Sequence, residues 1–118
     1  MDDYKLVEKL QENFLSSKKL LIALGDETRF HIVYQMMKMN KCLGVRVGEI
    51  TKSTNLSRPA VSHHLKILKE AGIIKYREEG TMNFYYFDPN IKDFNKLIET
   101  FELIVEISKK FPKNNGGI

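Results

Sequence analysis

Residues 57–72 read SRPAVSHHLKILKEAG and carry the start and stop signals of one short amphipathic helix. Ser57 is a residue type that caps helix N-termini, and Pro59 falls in the first turn, where its missing N–H leaves no hydrogen bond unmade. Gly72 is typical of the position just after a helix. The buried face is predicted from the apolar residues that recur at helical spacing, which are Val61, Leu65, Leu68 and Ala71.

The opposite face of this helix is polar and basic. Positions i, i+4, i+8 and i+11 form one continuous row, which consists of Arg58, Ser62, Lys66 and Lys69. Arginine and serine near the N-terminal end suit contacts to base edges, whereas Lys66 suits a phosphate. We therefore predict that this row faces nucleic acid. Ser57 either adds a phosphate contact to its cap or serves as a cap alone.

His63 and His64 raise the alternative of a metal site on the same helix. Adjacent helical residues point about 100° apart, so the two imidazoles are badly placed to chelate one ion, and a helical zinc pair is expected at i, i+4. We predict that His64 is packed and hydrogen-bonded beside the helix. His63 lies closer to the polar row and is predicted to contact DNA.

Two neighbouring segments place this helix in a larger motif. A shorter helix is predicted over about 47–55, one tight turn upstream. Downstream, residues 73–78 (IIKYRE) and 82–87 (MNFYYF) are rich in β-branched and aromatic residues and flank a glycine-containing turn, which predicts a hairpin. A helix-turn-helix (47–72) followed by a two-stranded wing (73–87) is the winged-helix plan, whose second helix enters the major groove.

The predicted architecture is mainly α with a small β-hairpin, in one domain spanning residues 1–118. It has about five helices, because apolar periodicity also predicts a helix over about 3–23, a second from the Asp26 cap to about Met39, and a last one over about 91–111. The second of these is expected to bury the stripe Phe30, Val33, Met36 and Met37. Backbone-phosphate or minor-groove contacts are expected from Lys52 on the short helix and from Lys75 and Arg77 in the wing.

Charge and composition narrow the class of protein. Residues 46–80 hold seven lysines and arginines against four glutamates, and so carry +3 of the net charge of +4. This concentration favours a nucleic-acid partner. The start MDDYKLVEKL does not resemble a signal peptide, and no apolar run approaches the roughly 20 residues that span a bilayer. The single cysteine, Cys42, forbids an intrachain disulfide and is typical of a reducing cytoplasm, so we expect a cytoplasmic protein. Because no apolar run is long enough to span a bilayer, we expect no membrane partner.

Three stretches resemble the ArsR family of dimeric winged-helix repressors. They are ALGDETRFHIV (23–33), LSRPAVSHHLKILKEAGIIKYREEG (56–80) and the aromatic strand ending in FYYF (84–87). The resemblance implies a homodimer that binds a double-stranded, inverted-repeat operator, usually to repress, with a small molecule or another effector tuning the binding. It also implies that the first and last helices form the dimer interface. Glu78 and Thr81 stand where this family often has basic residues, which argues against minor-groove reading by the wing.

The family resemblance also raises the question of whether this chain has the metal ligands found in many ArsR proteins. The family's Cys-x-Cys metal ligands correspond here to Arg46 and Gly48, neither of which binds a soft metal. The other common site uses histidines on the last helix, and residues 88–111 contain no histidine. No metal or cofactor is therefore predicted. Cys42 is expected to be a buried, inert thiol, with an intersubunit disulfide as the alternative.

The two terminal helical regions, 1–24 and 90–111, carry apolar stripes that a domain of this size cannot easily bury alone. A two-fold pairing would bury them and set two recognition helices about 34 Å apart, roughly one turn of DNA. The alternative is that both helices pack on their own core. The residues assigned to the dimer interface are Leu6, Leu10, Phe14, Phe94, Leu97, Ile98, Phe101, Ile104 and Val105.

The sequence thus predicts a sequence-specific DNA-binding transcriptional regulator, an operator-binding repressor that acts as a homodimer. The alternative is a winged-helix protein-interaction module without sequence-specific DNA binding. No G-x-S-x-G elbow, phosphate-cradling glycine loop or credible Cys–His pair is present, so no enzymatic activity is predicted.

Overall fold

The computed structural model describes residues 2–39 and 44–111, which form six helices and one two-stranded hairpin. The predicted fold class, mainly α with a small wing, is confirmed. Residues 40–43, which include Cys42 and part of the predicted connector, lie outside the described residues. In chain order the elements are α1 (Asp3–Ser16), α2 (Lys18–Gly25), α3 (Glu27–Met39), α4 (Val47–Thr54), α5 (Arg58–Glu70), β1 (Ile74–Glu79), β2 (Met82–Phe87) and α6 (Ile91–Lys110).

The single helix predicted over 3–23 is wrong, because α1 and α2 are separate helices divided at Ser17. The backbone of Ser17 has φ −92° and ψ 4°, and its hydroxyl donates to the carbonyl oxygen of Asn13 at 2.8 Å. Serine competes for backbone groups in this way and so favours helix ends. The apolar periodicity continues across the break, which is why periodicity alone does not reveal it.

Helices α1 and α6 form one of two compact units in the chain. They run antiparallel, since Lys110 Nζ lies 3.7 Å from Asp3 Oδ1 at one end and Asn13 Nδ2 donates to Glu99 Oε1 at 2.7 Å farther along. The Asn13 amide, followed by the Lys9 ammonium, lowers the pKa of Glu99. The buried apolar side chains of these helices include Leu6, Leu97 and Leu103.

The second compact unit, Lys19–Asn90, contains the helix-turn-helix and the wing. Its largest fully buried side chains come from α3, α4, α5 and the start of the wing, and they are Ile32, Ile50, Val61, Leu65, Leu68, Ile73 and Ile74. These residues lie on one face of each helix, as amphipathic periodicity requires. Their burial fixes the orientation of α5 and therefore which of its faces meets solvent.

The predicted apolar stripe of α3 is partly wrong. Val33 and Met36 are buried as expected, but Phe30 is 64% exposed and Met37 is 51% exposed. The helix instead buries Ile32, which lies next to Val33 and one turn from Met36. Phe30 and Met37 belong to a second apolar row beside the buried one, since they are three and four positions from Val33, and the sequence carries no signal that separates the two rows.

The wing is an antiparallel hairpin whose register pairs Ile74 with Phe87 and Glu79 with Met82. A short bridge adds to it, because the N–H groups of Val45 and Tyr85 donate to each other's carbonyl oxygens at 2.7 and 2.8 Å. Gly44 makes this approach possible: its φ is +93°, and an added Cβ would lie 2.9 Å from the carbonyl oxygen of Tyr85. The start of α4 is thereby fixed to the wing.

Across residues 2–39 and 44–111, no helix is both long enough and apolar enough to cross a membrane.

Candidate nucleic-acid interface

The turn between α4 and α5 places the start of α5 at the surface. Asn55 ends α4 in the left-handed region with φ 60°, and its N–H donates to the carbonyl oxygen of Thr51 at 2.9 Å. Ser57 is extended, and its hydroxyl accepts the N–H of Ala60 at 3.3 Å. The predicted cap is confirmed, and Pro59 lies in the first turn as expected.

The end of α5 is closed by a Schellman motif that leads into the wing. Gly72 adopts φ 77°, and its N–H donates to the carbonyl oxygen of Lys69 at 3.1 Å. The N–H of Ile73 donates to the carbonyl oxygen of Leu68, also at 3.1 Å. The reversal directs the chain into β1, so the wing follows α5 without an intervening loop.

The polar row of α5 faces solvent along its whole length. Val61, Leu65 and Leu68 on the opposite face have no exposed surface. Arg58 and Ser62 are exposed in the first half of the helix, near its N-terminus. The exposed residues of this helix that were predicted to contact DNA are Arg58, Ser62, His63, Lys66 and Lys69.

Three of the predicted cations make no ion pair with any carboxylate of residues 2–39 and 44–111. They are Lys52 on α4 and Arg58 and Lys66 on α5. Lys69 differs, because its Nζ lies 4.7 Å from the centre of the Tyr76 ring in a cation–π contact. The positive charge available to a ligand is therefore concentrated at the turn between α4 and α5 and in the first half of α5.

The wing cations, in contrast, are neutralised locally. Lys75 Nζ lies 3.0 Å from Asp88 Oδ2, and Arg77 Nε donates to Glu79 Oε1 at 3.2 Å. The Arg77 guanidinium also lies 4.7 Å from the centre of the Phe84 ring. These carboxylates lower the positive potential of the wing, in keeping with the departures from the family pattern at its tip.

Arg29, for which the sequence predicts no role, connects three helices. Its Nε donates to the carbonyl oxygen of Ala23 at 2.9 Å and its Nη2 to that of Ile22 at 3.1 Å, at the C-terminal end of α2. Its Nη1 lies 3.4 Å from Nδ1 of His64 on α5. Its backbone N–H donates to Asp26 Oδ2 at 3.0 Å, which confirms the predicted Asp26 cap of α3.

The surroundings of His64 lower its pKa. Burial lowers the pKa of His64 below its ordinary value of 6.5; Asp26 opposes the shift, while Arg29 and His63 reinforce it. A neutral imidazole accepts from the Arg29 guanidinium at Nδ1 and carries its proton on Nε2. The hydrogen bond from the Arg29 N–H lowers the pKa of Asp26, so the carboxylate stays charged beside the guanidinium. The prediction that His64 is packed and hydrogen-bonded is confirmed.

The two histidine rings do not converge on a common point. Their centroids are 5.4 Å apart and the rings meet edge to face at 60°. Within the described ranges 2–39 and 44–111, no three histidine, cysteine, aspartate or glutamate side chains are grouped so as to hold a metal ion. Cys42, for which the sequence leaves a disulfide open, lies outside these ranges.

A basic depression lies where α4 and α5 meet. It has a volume of about 280 Å³ and is lined by Arg46, Gly48, Glu49, Lys52 and Arg58; we call it the α4–α5 depression. By the family resemblance of the sequence, Arg46 and Gly48 stand where Cys-x-Cys metal ligands are expected. In the sequence, Arg46 stands out only as a missing metal ligand, and its proximity to Arg58 follows from the fold of the turn.

The residues assigned to a dimer interface fall into two groups. Leu6 and Leu97 are 3% and 8% exposed, and Leu10 and Phe94 are half-buried. The others expose 40% to 54% of their surface, and they are Phe14, Ile98, Phe101, Ile104 and Val105. Ile98, Phe101 and Val105 line an open groove of about 440 Å³ along α6, with Glu102, Glu106 and Lys109 at its edges. We call these three residues the α6 stripe.

Comparison with known proteins identifies relatives of this chain. Residues 26–76 match the family described as bacterial regulatory protein, arsR family. An uncharacterised HTH-type transcriptional regulator of Methanocaldococcus jannaschii is 38% identical over 90 residues, covering 75% of this chain and 97% of that protein. The arsenical resistance operon repressor of Bacillus subtilis is 30% identical over 100 residues, covering 83% of this chain and 84% of that protein.

A solved structure shows the same fold. The homodimeric winged helix-turn-helix DNA-binding domain of a possible ArsR-family regulator from Mycobacterium bovis superposes with a TM-score of 0.54 at 18% identity, covering 97% of each chain. The winged helix-turn-helix prediction is therefore confirmed.

Proposed function

The chain belongs to the ArsR family of DNA-binding transcriptional regulators, and we propose that it is a homodimeric repressor that reads an inverted-repeat operator with α5. The observation that carries the proposal is the exposed row on α5, in which Arg58 and Lys66 have no carboxylate partner among the described residues. A surface row of unpaired cations beside a supporting helix suits the phosphate-lined major groove.

The residues of the row are assigned different roles by their position on the helix. In helix-turn-helix proteins, the N-terminal residues of the recognition helix contact base edges. Arg58 and Ser62 are therefore the base-reading residues, since arginine bonds guanine through two N–H groups and serine bonds any base. Lys66 and Lys52 contact backbone phosphates, with Ser57 beside them. His63 and Lys69 extend the same surface, and Lys75 and Arg77 have a smaller share because of their local carboxylates.

The dimer is proposed from the α6 stripe. Ile98, Phe101 and Val105 are each about half exposed on one side of one helix, and such a continuous apolar face favours a partner surface. A second copy offers the same face in a two-fold arrangement. Reading an inverted repeat requires the two α5 helices of such a dimer to lie about one DNA turn apart, roughly 34 Å. An operator with inverted half-sites matches this symmetry.

Repression follows from occupying an operator, and no catalysis is proposed. Arg46 and Gly48 supply no thiolate, so the effector, whose identity is open, is not expected to be a metal bound at the family's Cys-x-Cys positions. The proposal places the protein in the cytoplasm, with DNA and a second copy of the chain as its partners.

The experiment is selection of bound sites from random duplex DNA at about 0.15 M salt, followed by sequencing. The proposal expects an enriched inverted repeat, and a duplex with one scrambled half-site serves as the matched control. Binding to the enriched duplex is then expected to weaken steeply with added salt. No enrichment and no salt-sensitive binding would contradict the proposal and favour a winged-helix module that binds a protein partner.

A further inference from the structure

We propose that the α4–α5 depression is a phosphate subsite that seats one phosphodiester of the DNA backbone next to each recognition helix. The inference rests on the proposed DNA-binding function and extends it to Arg46 and to the backbone surface of Gly48. Neither position belongs to the polar row of α5, and both come from the α4 side of the turn.

The charges of the depression suit an anion. Its lining has three cations, Arg46, Lys52 and Arg58, and one carboxylate, Glu49. Glu49 Oε2 accepts the backbone N–H of Arg46 at 2.9 Å, which holds this carboxylate at the start of α4. The three cations make no ion pair with a carboxylate in the part of the chain that the structure describes. An anion in the depression therefore meets a net positive lining.

The shape of the depression suits a phosphate that reaches in from a long ligand. Its volume of about 280 Å³ holds a phosphate group with several waters, since one water occupies roughly 30 Å³ of the liquid. It is open on one side, so the chain of a polymer can pass across it. Arg46 immediately precedes α4, Lys52 lies on α4 and Arg58 lies in the first turn of α5, so a phosphate here sits between the two helices of the motif. Arg46 and Lys52 are its proposed ligands, whereas Arg58 adds positive charge to the lining and keeps the base-reading role proposed above. The supporting helix of a helix-turn-helix crosses the DNA backbone at this place.

Gly48 permits a direct test. A Cβ added to Gly48 has no neighbour within 4 Å, so a side chain fits without displacing the fold. Gly48→Asp places a carboxylate in the depression, whereas Gly48→Asn has the same shape without the charge. The two variants therefore differ only in the electrostatics that the proposal invokes.

Binding of the parent and both variants is measured against the selected operator and an unrelated duplex, over a range of salt concentrations. We expect Gly48→Asp to bind both duplexes about tenfold or more weakly at 0.1 M salt, with the slope of log K against log salt reduced by about 1 per subunit. Gly48→Asn is expected to bind both duplexes more tightly than Gly48→Asp and to keep the salt slope of the parent, because it fills the same space without the negative charge. If Gly48→Asp melts below the parent, Arg46→Gln replaces it, with the same expected change in slope.

Failure of the proposed DNA-binding function and failure of the proposed phosphate subsite give different results. A parent that binds no duplex contradicts the proposed function itself. A parent that binds DNA, with Gly48→Asp indistinguishable from Gly48→Asn, overturns the subsite alone. Competition with inorganic pyrophosphate tests whether the depression binds a free anion or a phosphate of the DNA backbone. Binding of pyrophosphate that only Gly48→Asp abolishes, with DNA affinity unchanged, would assign the depression to a free anion and overturn its DNA role.

Discussion

Nη1 of Arg29 lies 3.4 Å from Nδ1 of His64, so the first turn of α3 contacts α5 directly. The same guanidinium closes the end of α2 through the carbonyl oxygens of Ile22 and Ala23. Its side chain is only 11% exposed, and its bonds to Ala23 and His64 are partly shielded from water. Arg29 positions the recognition helix without belonging to the surface proposed to bind DNA.

We expect Arg29→Ala to lower the free energy of unfolding by about 2 kcal/mol, because it removes charge-assisted hydrogen bonds to two carbonyl oxygens and an imidazole. The measurement is urea unfolding followed by circular dichroism. Arg58→Ala is the matched control: Arg58 is exposed, and its loss is expected to change stability by less than about 0.5 kcal/mol. Equal effects of the two substitutions would contradict the positioning role of Arg29.

Stability is expected to fall as the pH drops below about 6.5, because the pKa of His64 is lowered in the folded chain. Above pH 6.5 the imidazole is neutral in both the folded and the unfolded chain, and its contribution to the free energy of unfolding is intact. Below 6.5 the unfolded chain takes up a proton before the folded chain does, so the free energy of unfolding decreases until the folded state is protonated as well. Asp26 acts at lower pH: its contribution is present above its ordinary pKa of 3.8 and is lost as the pH falls through its lowered folded value.

The measurement is the unfolding free energy between pH 5 and pH 8 for the parent and two variants. His64→Gln is expected to flatten the dependence near pH 6, whereas His63→Gln, at an exposed position on the same helix, is expected to retain it. A parent whose stability is constant over this range, or a His64→Gln variant with an unchanged profile, would be inconsistent with a lowered pKa of the half-buried His64 imidazole.

The division of roles along α5 is testable by comparing cognate with unrelated DNA. Arg58→Ala combined with Ser62→Ala is expected to reduce the preference for the selected operator by about 1–3 kcal/mol, because base-edge contacts carry discrimination. Lys66→Ala is expected to weaken binding to all duplexes alike and to reduce the salt slope by about 1. Both variants should remain folded and dimeric. If the double variant lost affinity equally for all sequences, the first half of α5 would not be the base-reading segment.

Helix α5 could be predicted from the sequence because the residues that start and end it act locally. Ser57, Pro59 and Gly72 act within a few residues of their own positions, and the buried face of α5 follows from a period of 3.6. The predicted start of α5 and its exposed row agree with the structure for this reason.

The parts that were missed depend on partners distant in sequence or on a choice between two similar faces. Arg29 meets His64 across 35 positions, and Lys75 meets Asp88 across the hairpin. Periodicity could not distinguish the row of Phe30 and Met37 from that of Ile32, because both rows are apolar. Which row is buried depends on the packing of α3 against other helices, and a single sequence does not contain that information.

The local neutralisation of the wing predicts that removing one carboxylate strengthens DNA binding. Asp88→Asn frees Lys75, whose Nζ lies 3.0 Å from Asp88 Oδ2, and it also removes a negative charge near the duplex. We expect the affinity for any duplex to rise about two- to fivefold at low salt, and the gain to fade as salt is added. Lys75→Ala in the Asp88→Asn background should cancel the gain. An unchanged affinity for Asp88→Asn would show that this side of the wing stays away from DNA.

The proposed dimer can be tested on the α6 stripe without disturbing the fold of one chain. Phe101 is 50% exposed, so Phe101→Glu is tolerated in a monomer, whereas a dimer interface would bury an unpaired carboxylate at a cost of several kcal/mol. We expect sedimentation velocity to show a monomer at concentrations where the parent is a dimer. Lys92→Gln is the control, because it makes the same change in charge at an exposed position on the opposite side of α6.

Phe101→Glu should also lose its preference for two inverted half-sites over one, since a monomer reads each half-site separately. A Phe101→Glu variant that stays dimeric and keeps this preference would move the interface away from the α6 stripe.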